Sequence, residues 1–185
     1  MRFAAAVSCV LCLFVLPSAA VRRPGEPEIH VSSLERRVQD RINDERTDRE
    51  LRELDWDERL SRIARAHSED MARRKFFDHV NPDGKSPTDR GKAAGYECRK
   101  ARGSYYRVGL AENLYQGNLY SRVRITGTER RYDWNSPEDI SKQSVSGWMK
   151  SPGHRRNILE KDYSQAGVGI AISADDEVFI TQLFC

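Results

Sequence analysis

Two apolar runs close to the C-terminus, Gly167-Val168-Gly169-Ile170-Ala171-Ile172 and Val178-Phe179-Ile180-Thr181-Gln182-Leu183-Phe184, are separated by an acidic turn region at Asp175-Asp176. Each has the length and the β-branched and aromatic content of a strand, so together they predict a β-hairpin. A lone hairpin is at best marginal in water, and this one needs cover on its apolar surface. The residues before it supply that cover as helices.

Leu34, Val38 and Ile42 recur at four-residue steps, and Leu60, Ile63, Ala64, His67 and Met71 form one stripe, which predicts two amphipathic helices. Ser32 with Glu35 and Asp55 with Glu58 have capping-box spacing and are the expected helix starts. Asn81-Pro82-Asp83-Gly84 suits a type I turn. Ser86-Pro87-Thr88-Asp89 then combines a cap, a proline at the first helical position and an acid at the third, predicting a short helix that runs to Gly95. Ser136-Pro137-Glu138-Asp139 repeats the device before a helix carrying Ile140, Val145, Trp148 and Met149. Ser151-Pro152 opens a further helical turn, in which Gly153 lets the chain turn closely and His154 follows. A third strand is expected over 106–115, and an accessory hairpin pairs 122–126 with 132–134. Helices before and between antiparallel strands specify an α+β domain with helices over a sheet. At 185 residues one domain is expected.

The N-terminus constrains the compartment. Arg2, an apolar run from Phe3 to Leu16 and the small residues of Pro17-Ser18-Ala19-Ala20 predict a secretory signal peptide over 1–20, cleaved near Ala20. The apolar run of about 14 residues is short against the roughly 20 needed to span a bilayer, and no stable membrane span is expected after cleavage; a retained anchor is the alternative. Residues 21–31 hold two prolines and a glycine and are assigned as a linker. Cleavage removes Arg2 and no acid, so the formal net charge falls by one from +3, too small an imbalance to indicate nucleic acid. It also removes Cys9 and Cys12 and leaves Cys98 and Cys185. In an oxidising compartment these two can form a disulfide worth about 4 kcal/mol, tethering the last strand to a central loop; two free or intermolecular thiols are the alternative.

Three residues stand out as chemistry. His79 follows a helix end beside a tight turn, where its ring can reach a cleft. Glu112 shares a strand face with Leu110 and Leu114, so its carboxylate needs a partner, and an imidazole is a natural one. His154 sits in the first turn of a helix, whose positive end favours neutral imidazole, able to bind a metal or accept a proton. His67 lies on the apolar stripe and is expected to be buried and hydrogen-bonded, and His30 is a bystander at the edge of the linker. No HExxH, paired CxxC, Gly-x-Ser-x-Gly, P-loop or dinucleotide fingerprint is present.

Six segments occur in a distinctive order: LDWDERLSRIARAHSEDMARRKFFDH, NPDGKSP, GLAENLYQG, GWMKSPGHRRNIL, YSQAGVGIAIS and VFITQLFC. Over Ser33 to Cys185 the chain resembles the SCP domain of the CAP superfamily, which includes cysteine-rich secretory proteins, antigen 5 and pathogenesis-related proteins, and it is most similar to the prokaryotic secreted branch. The resemblance implies a three-layer α-β-α sandwich with a central antiparallel sheet, here over 32–185 with an insertion at 118–135. It also implies a ligand-binding cleft lined by His79, Glu112 and His154, with a divalent metal such as Zn2+ on the two histidines in some members. Two departures are visible. Ala111 stands where a glycine usually precedes the glutamate, and Trp148 is followed by Met149, Lys150 and Ser151, without a second acid.

The leading expectation is a secreted, monomeric, non-enzymatic module that binds an extracellular peptide, lipid or protein. The alternative is a zinc-dependent hydrolase in which His79 and His154 hold the metal and Glu112 is the catalytic base. Arg122, Arg124, Arg130, Arg131, Tyr132 and Trp134 are residue types that could bind a membrane surface or nucleic acid, but such charges usually form a solvated hairpin face.

Overall fold

The computed structural model of the protein describes residues 22–185, so the expected leader lies outside the described residues. In chain order the elements are α1 (Val31–Thr47), β1 (Asp55–Trp56), α2 (Glu58–Arg74), α3 (Pro87–Ala93), β2 (Arg99–Arg102), β3 (Tyr105–Val108), β4 (Ala111–Asn118), β5 (Tyr120–Thr126), β6 (Glu129–Trp134), α4 (Pro137–Lys150), α5 (Pro152–Ile158), β7 (Gln165–Ile172) and β8 (Glu177–Phe184). The main sheet has the order β1-β7-β8-β4. Its three long strands are antiparallel, as expected, whereas the two-residue β1 adds a parallel edge to β7 and makes the sheet mixed.

The C-terminal hairpin forms as the sequence indicates, with β8 in the interior and residues 178–185 all buried. A strand buried along its whole length needs cover on both faces, and the stripes provide it. On one face α1 and α4 bring Leu34, Val38, Ile42, Ile140 and Trp148 against Val168, Ile170, Val178, Ile180 and Phe184. On the other, α2 brings Leu60, Ile63, Ala64 and Met71 against Leu183 and Phe179. The result is a helix–sheet–helix sandwich. No helix among the described residues is long and apolar enough to cross a membrane.

The seat of α2 on β7 is unusually close. A Cβ on Gly169 would lie 1.9 Å from the Arg65 backbone nitrogen, and one on Gly167 would lie 2.2 Å from that of Ser61. Because β1 is so short, the edge of β7 beyond it needs other partners for its backbone groups. Ser61 Oγ donates to the Val168 carbonyl at 2.6 Å, and Glu35 accepts the Ile170 N–H at 3.0 Å while Arg65 binds the same carboxylate.

That use of Glu35 explains one departure from expectation. The Ser32–Glu35 capping box does not form, because α1 begins two residues earlier behind His30 and Glu35 turns inward to the sheet. Asp55 does not cap α2 either; it lies in β1, and Asp57 accepts the Arg59 and Leu60 amides at 2.7 and 3.1 Å. The Ser86–Asp89 and Ser136–Asp139 boxes both form. Ser151 precedes α5 without a side-chain cap, and a Cβ on Gly153 would meet open space, so the close turn expected there is not what this glycine supplies.

The strand expected over 106–115 is instead divided between two sheets. Gly109 adopts φ 116°, a left-handed value that favours glycine, and the Leu110 amide is held by Thr88 Oγ1 at 3.1 Å. The residues before this break pair as the β2–β3 hairpin, and those after it enter the main sheet as β4. The accessory hairpin forms as β5–β6. Its aromatic and basic residues bind one another: Tyr132 stacks on Trp134, Arg23 lies over both rings, and Arg124 pairs with Asp133.

Cys98 and Cys185 are bonded, with Cα atoms 5.6 Å apart across a sequence separation of 87. Replacing both cysteines by serine is expected to lower unfolding free energy by about 2–5 kcal/mol in denaturant titrations. Gly169→Ala is expected to destabilise by about 2–3 kcal/mol or more, because backbone rather than a flexible side chain blocks the new methyl. A wild-type denaturation midpoint for Gly169→Ala would contradict the packing described.

Candidate functional site

Three segments meet at the start of β4. Glu112 is the second residue of that strand, and its side chain is only 1% exposed. One carboxylate oxygen lies 2.8 Å from His79 Nδ1, and the other accepts from the Arg90 guanidinium. His79 arrives on the segment that leaves α2 through the left-handed Lys75 and folds back at the Asn81–Gly84 turn. Arg90 arrives on α3, where the Ser86 capping box starts the helix. Its Nη1 also donates to the His79 and Lys85 carbonyls at 2.8 and 3.0 Å, so one side chain fixes both the acid and the loop carrying its histidine. A carboxylate this deeply desolvated is tolerable only when paired and hydrogen-bonded, and both conditions are met.

His154 is positioned through its backbone. Asn113, next to Glu112, donates Nδ2 to the His154 carbonyl at 3.2 Å. From α5, Asn157 Nδ2 reaches the Glu112 carbonyl at 3.2 Å and Asn113 Oδ1 at 3.0 Å. Trp148 pins α4 to the same strand through Nε1 on the Leu114 carbonyl at 2.8 Å. Among the described residues no hydrogen bond joins the His154 ring to His79 or Glu112. It feels His79 electrostatically instead.

The two rings are therefore biased in opposite directions. The Glu112 hydrogen bond raises the His79 pKa above its ordinary 6.5, outweighing the burial that opposes it. Burial lowers that of His154, and repulsion from a protonated His79 lowers it further. His67 lies in the core with Nε2 3.0 Å from the Asp78 carbonyl, and burial lowers its pKa as well. His30 is exposed at the start of α1, 3.8 Å from Glu28.

Arg90 belongs to the site although it lies outside every distinctive segment of the sequence, whereas Asn113 and Asn157 lie within GLAENLYQG and GWMKSPGHRRNIL but carry no role that the sequence assigns. The available signal was Glu112 itself, since a carboxylate between two leucines calls for a permanent cation as well as a titratable ring. The donor set does not fit a zinc ion as it is arranged. Both Glu112 oxygens are engaged, one of them by an arginine that cannot lose its proton, and no three His, Cys, Asp or Glu side chains among the described residues are grouped to hold a metal.

This arrangement sits in a fold that other proteins share. Residues 39–184 match the family model CAP, the cysteine-rich secretory protein family. The chain belongs to the CAP family. Among curated relatives, the uncharacterized protein YkwD of Bacillus subtilis (strain 168) is 35% identical over 139 residues, 75% of this chain. The match covers only 43% of YkwD, so this CAP chain spans less than half the length of that relative. Among solved structures, an extracellular protein containing a SCP domain from Bacillus anthracis superposes with a TM-score of 0.58 at 23% identity, over 83% of this chain and 40% of that one. An outer surface protein from Borrelia burgdorferi gives 0.61 at 17% identity, over 86% of this chain and 96% of that one.

In an NMR titration of the ring protons, His79 is expected to titrate above 6.5 and His154 below it, and Glu112→Gln is expected to bring His79 down. The signs for stability follow. The His79 contribution is complete below 6.5 and lost as pH rises through the raised folded value, whereas that of His154 is present above 6.5 and lost as pH falls through the lowered one. The same His79 midpoint in wild type and Glu112→Gln would contradict the pairing.

Proposed function

We propose that this CAP domain is secreted and acts outside the cell as a non-enzymatic binding module, with the His79, Glu112 and His154 cleft accepting a peptide, lipid or protein ligand. The observation that carries this reading is the state of Glu112, whose two oxygens are both bound by cationic or hydrogen-donating partners. A general base must reach a proton on water or substrate, and a carboxylate held beside a guanidinium is a poor one. Nucleophilic catalysis lacks its first component, because among the described residues no hydroxyl or thiol hydrogen-bonds the His79 or His154 ring. Secretion is supported by the apolar leader ending near Ala20, by the Cys98–Cys185 bond, and by the extracellular and outer-surface character of the two structural neighbours. In this reading residues 21–31 link the leader to the domain, and the hairpin within 118–135 is an insertion in it.

The zinc-hydrolase reading makes the opposite demand, that His79 and His154 release their present surroundings to share a metal with Glu112. The purified protein is expected to retain members of a defined peptide array or lipid panel, with retention lost in His154→Ala, and to show no turnover of peptide or ester libraries. After exposure to zinc and dialysis it is expected to hold well under one equivalent. Turnover abolished by His154→Ala in a folded protein, or one bound zinc lost on His79→Ala, would overturn the proposal.

A further inference from the structure

Beside the His79–Glu112 pair, a cleft of about 500 Å³ runs between α2 and α3, with Ile63, Ala66 and His67 among its lining. Its charge is one-sided. Arg59, Arg62, Lys85 and Arg90 border it, and the Arg62 and Lys85 side chains form no ion pair among the described residues. Arg59 donates to the Gly95 carbonyl and lies over the Tyr96 ring, so it too is free of a carboxylate partner. The acids on the cleft are already bound: Asp70 by Arg73 and Arg74, and Asp83 by Arg74. An anion entering here would meet cations and no uncompensated carboxylate.

Two residues that line the cleft each hold a buried atom without a hydrogen-bond partner within the protein, and the chemistry of the two atoms is complementary. Arg90 Nε is a donor; the other nitrogens of that side chain serve Glu112 and the turn carbonyls. His67 is 1% exposed, and its Nε2 faces the Asp78 carbonyl, which only accepts, so Nε2 carries the proton and Nδ1 is a bare acceptor. A buried donor or acceptor left without a partner is destabilising. A carboxylate or sulfate could serve Arg90 but has no proton for His67. A hydroxyl group accepts and donates.

We propose that the cleft between α2 and α3 is a binding site for an acidic polyol, a sugar or sugar-alcohol chain carrying carboxylate or phosphate. Its charge lies at Arg62 and Lys85, and its hydroxyls serve Arg90 Nε and His67 Nδ1. This goes beyond the His79, Glu112 and His154 reading, because it assigns a second site and the class of ligand it takes. Arg90 joins the two: it lines this cleft, and its terminal nitrogens bind Glu112 and the turn.

Calorimetry on the purified protein tests this with four probes: a galacturonate tetramer and poly(glycerol phosphate), which separate the carboxylate and phosphate sources, and a neutral glucan tetramer and polyglutamate as controls. At least one acidic polyol is expected to bind, with neutral glucan and polyglutamate about tenfold weaker or more. Arg62→Ala/Lys85→Ala, both exposed positions, is expected to weaken binding by about tenfold or more at an unchanged Tm, since two charged contacts to the ligand are lost together. Failure of both acidic polyols to bind, polyglutamate binding as well as they do, or an unaffected double variant would overturn the proposal. So would loss of polyol binding in His154→Ala, which would place the probe in the other cleft.

Discussion

The close seat of α2 on the glycine face of β7 is the contact on which the rest of the molecule depends. Side chains at positions 167 and 169 would lift the helix off the sheet, so two glycines set the spacing of an entire layer. That spacing lets Ser61 reach the Val168 carbonyl and Ser68 the Gly169 carbonyl, both from the buried side of the helix. It also sets the height of α2 over the sheet, and the left-handed Lys75 ends the helix and starts the loop carrying His79. With β4 on the far side of β8 and α2 crossing over β7 and β8, the helix delivers that loop to Glu112. A packing requirement in one layer thus becomes the geometry of the site.

Glu112 is the electrostatic counterpart of that seat. Burying a carboxylate costs more than most single contacts return, so the pairing with His79 and Arg90 is better understood as specifying a geometry than as adding net stability. Arg90 binds the acid and the loop together, and its removal would leave a buried charge facing a single titratable partner. The opposite bias of His79 and His154 has two causes: the carboxylate attracts the proton to His79, whereas burial discourages protonation of His154, with the charge on His79 adding to it.

Much of the architecture was legible because it rests on periodicity and local capping. The stripes at Leu34, Val38 and Ile42 and from Leu60 to Met71, the hairpin at 167–184 and the two Ser-Pro-x-Asp boxes all depend on near neighbours in the chain. What was misread depends on distant ones. Glu35 had the spacing of a capping residue, yet Arg65 and the open edge of β7 claimed it. The apparent strand at 106–115 broke at Gly109, where φ is positive and Thr88 takes over the next amide. At the site, His79, Glu112 and His154 could be singled out one by one. Arg90 could not, because nothing in the order of residues says that α3 lies over β4, and the absence of an acid after Trp148 gave no hint of a cation beside Glu112.

In the proposed reading Glu112, held by His79 and Arg90, is a structural anchor rather than a free base. A double-mutant cycle measures this most directly, comparing unfolding free energies of Glu112→Gln, Arg90→Met and the double variant with wild type. Strong coupling is expected, on the order of 1–3 kcal/mol, because each single change strands the other group in the interior. Additivity within about 0.3–0.5 kcal/mol would contradict it, since the carboxylate and the guanidinium would then be acting independently.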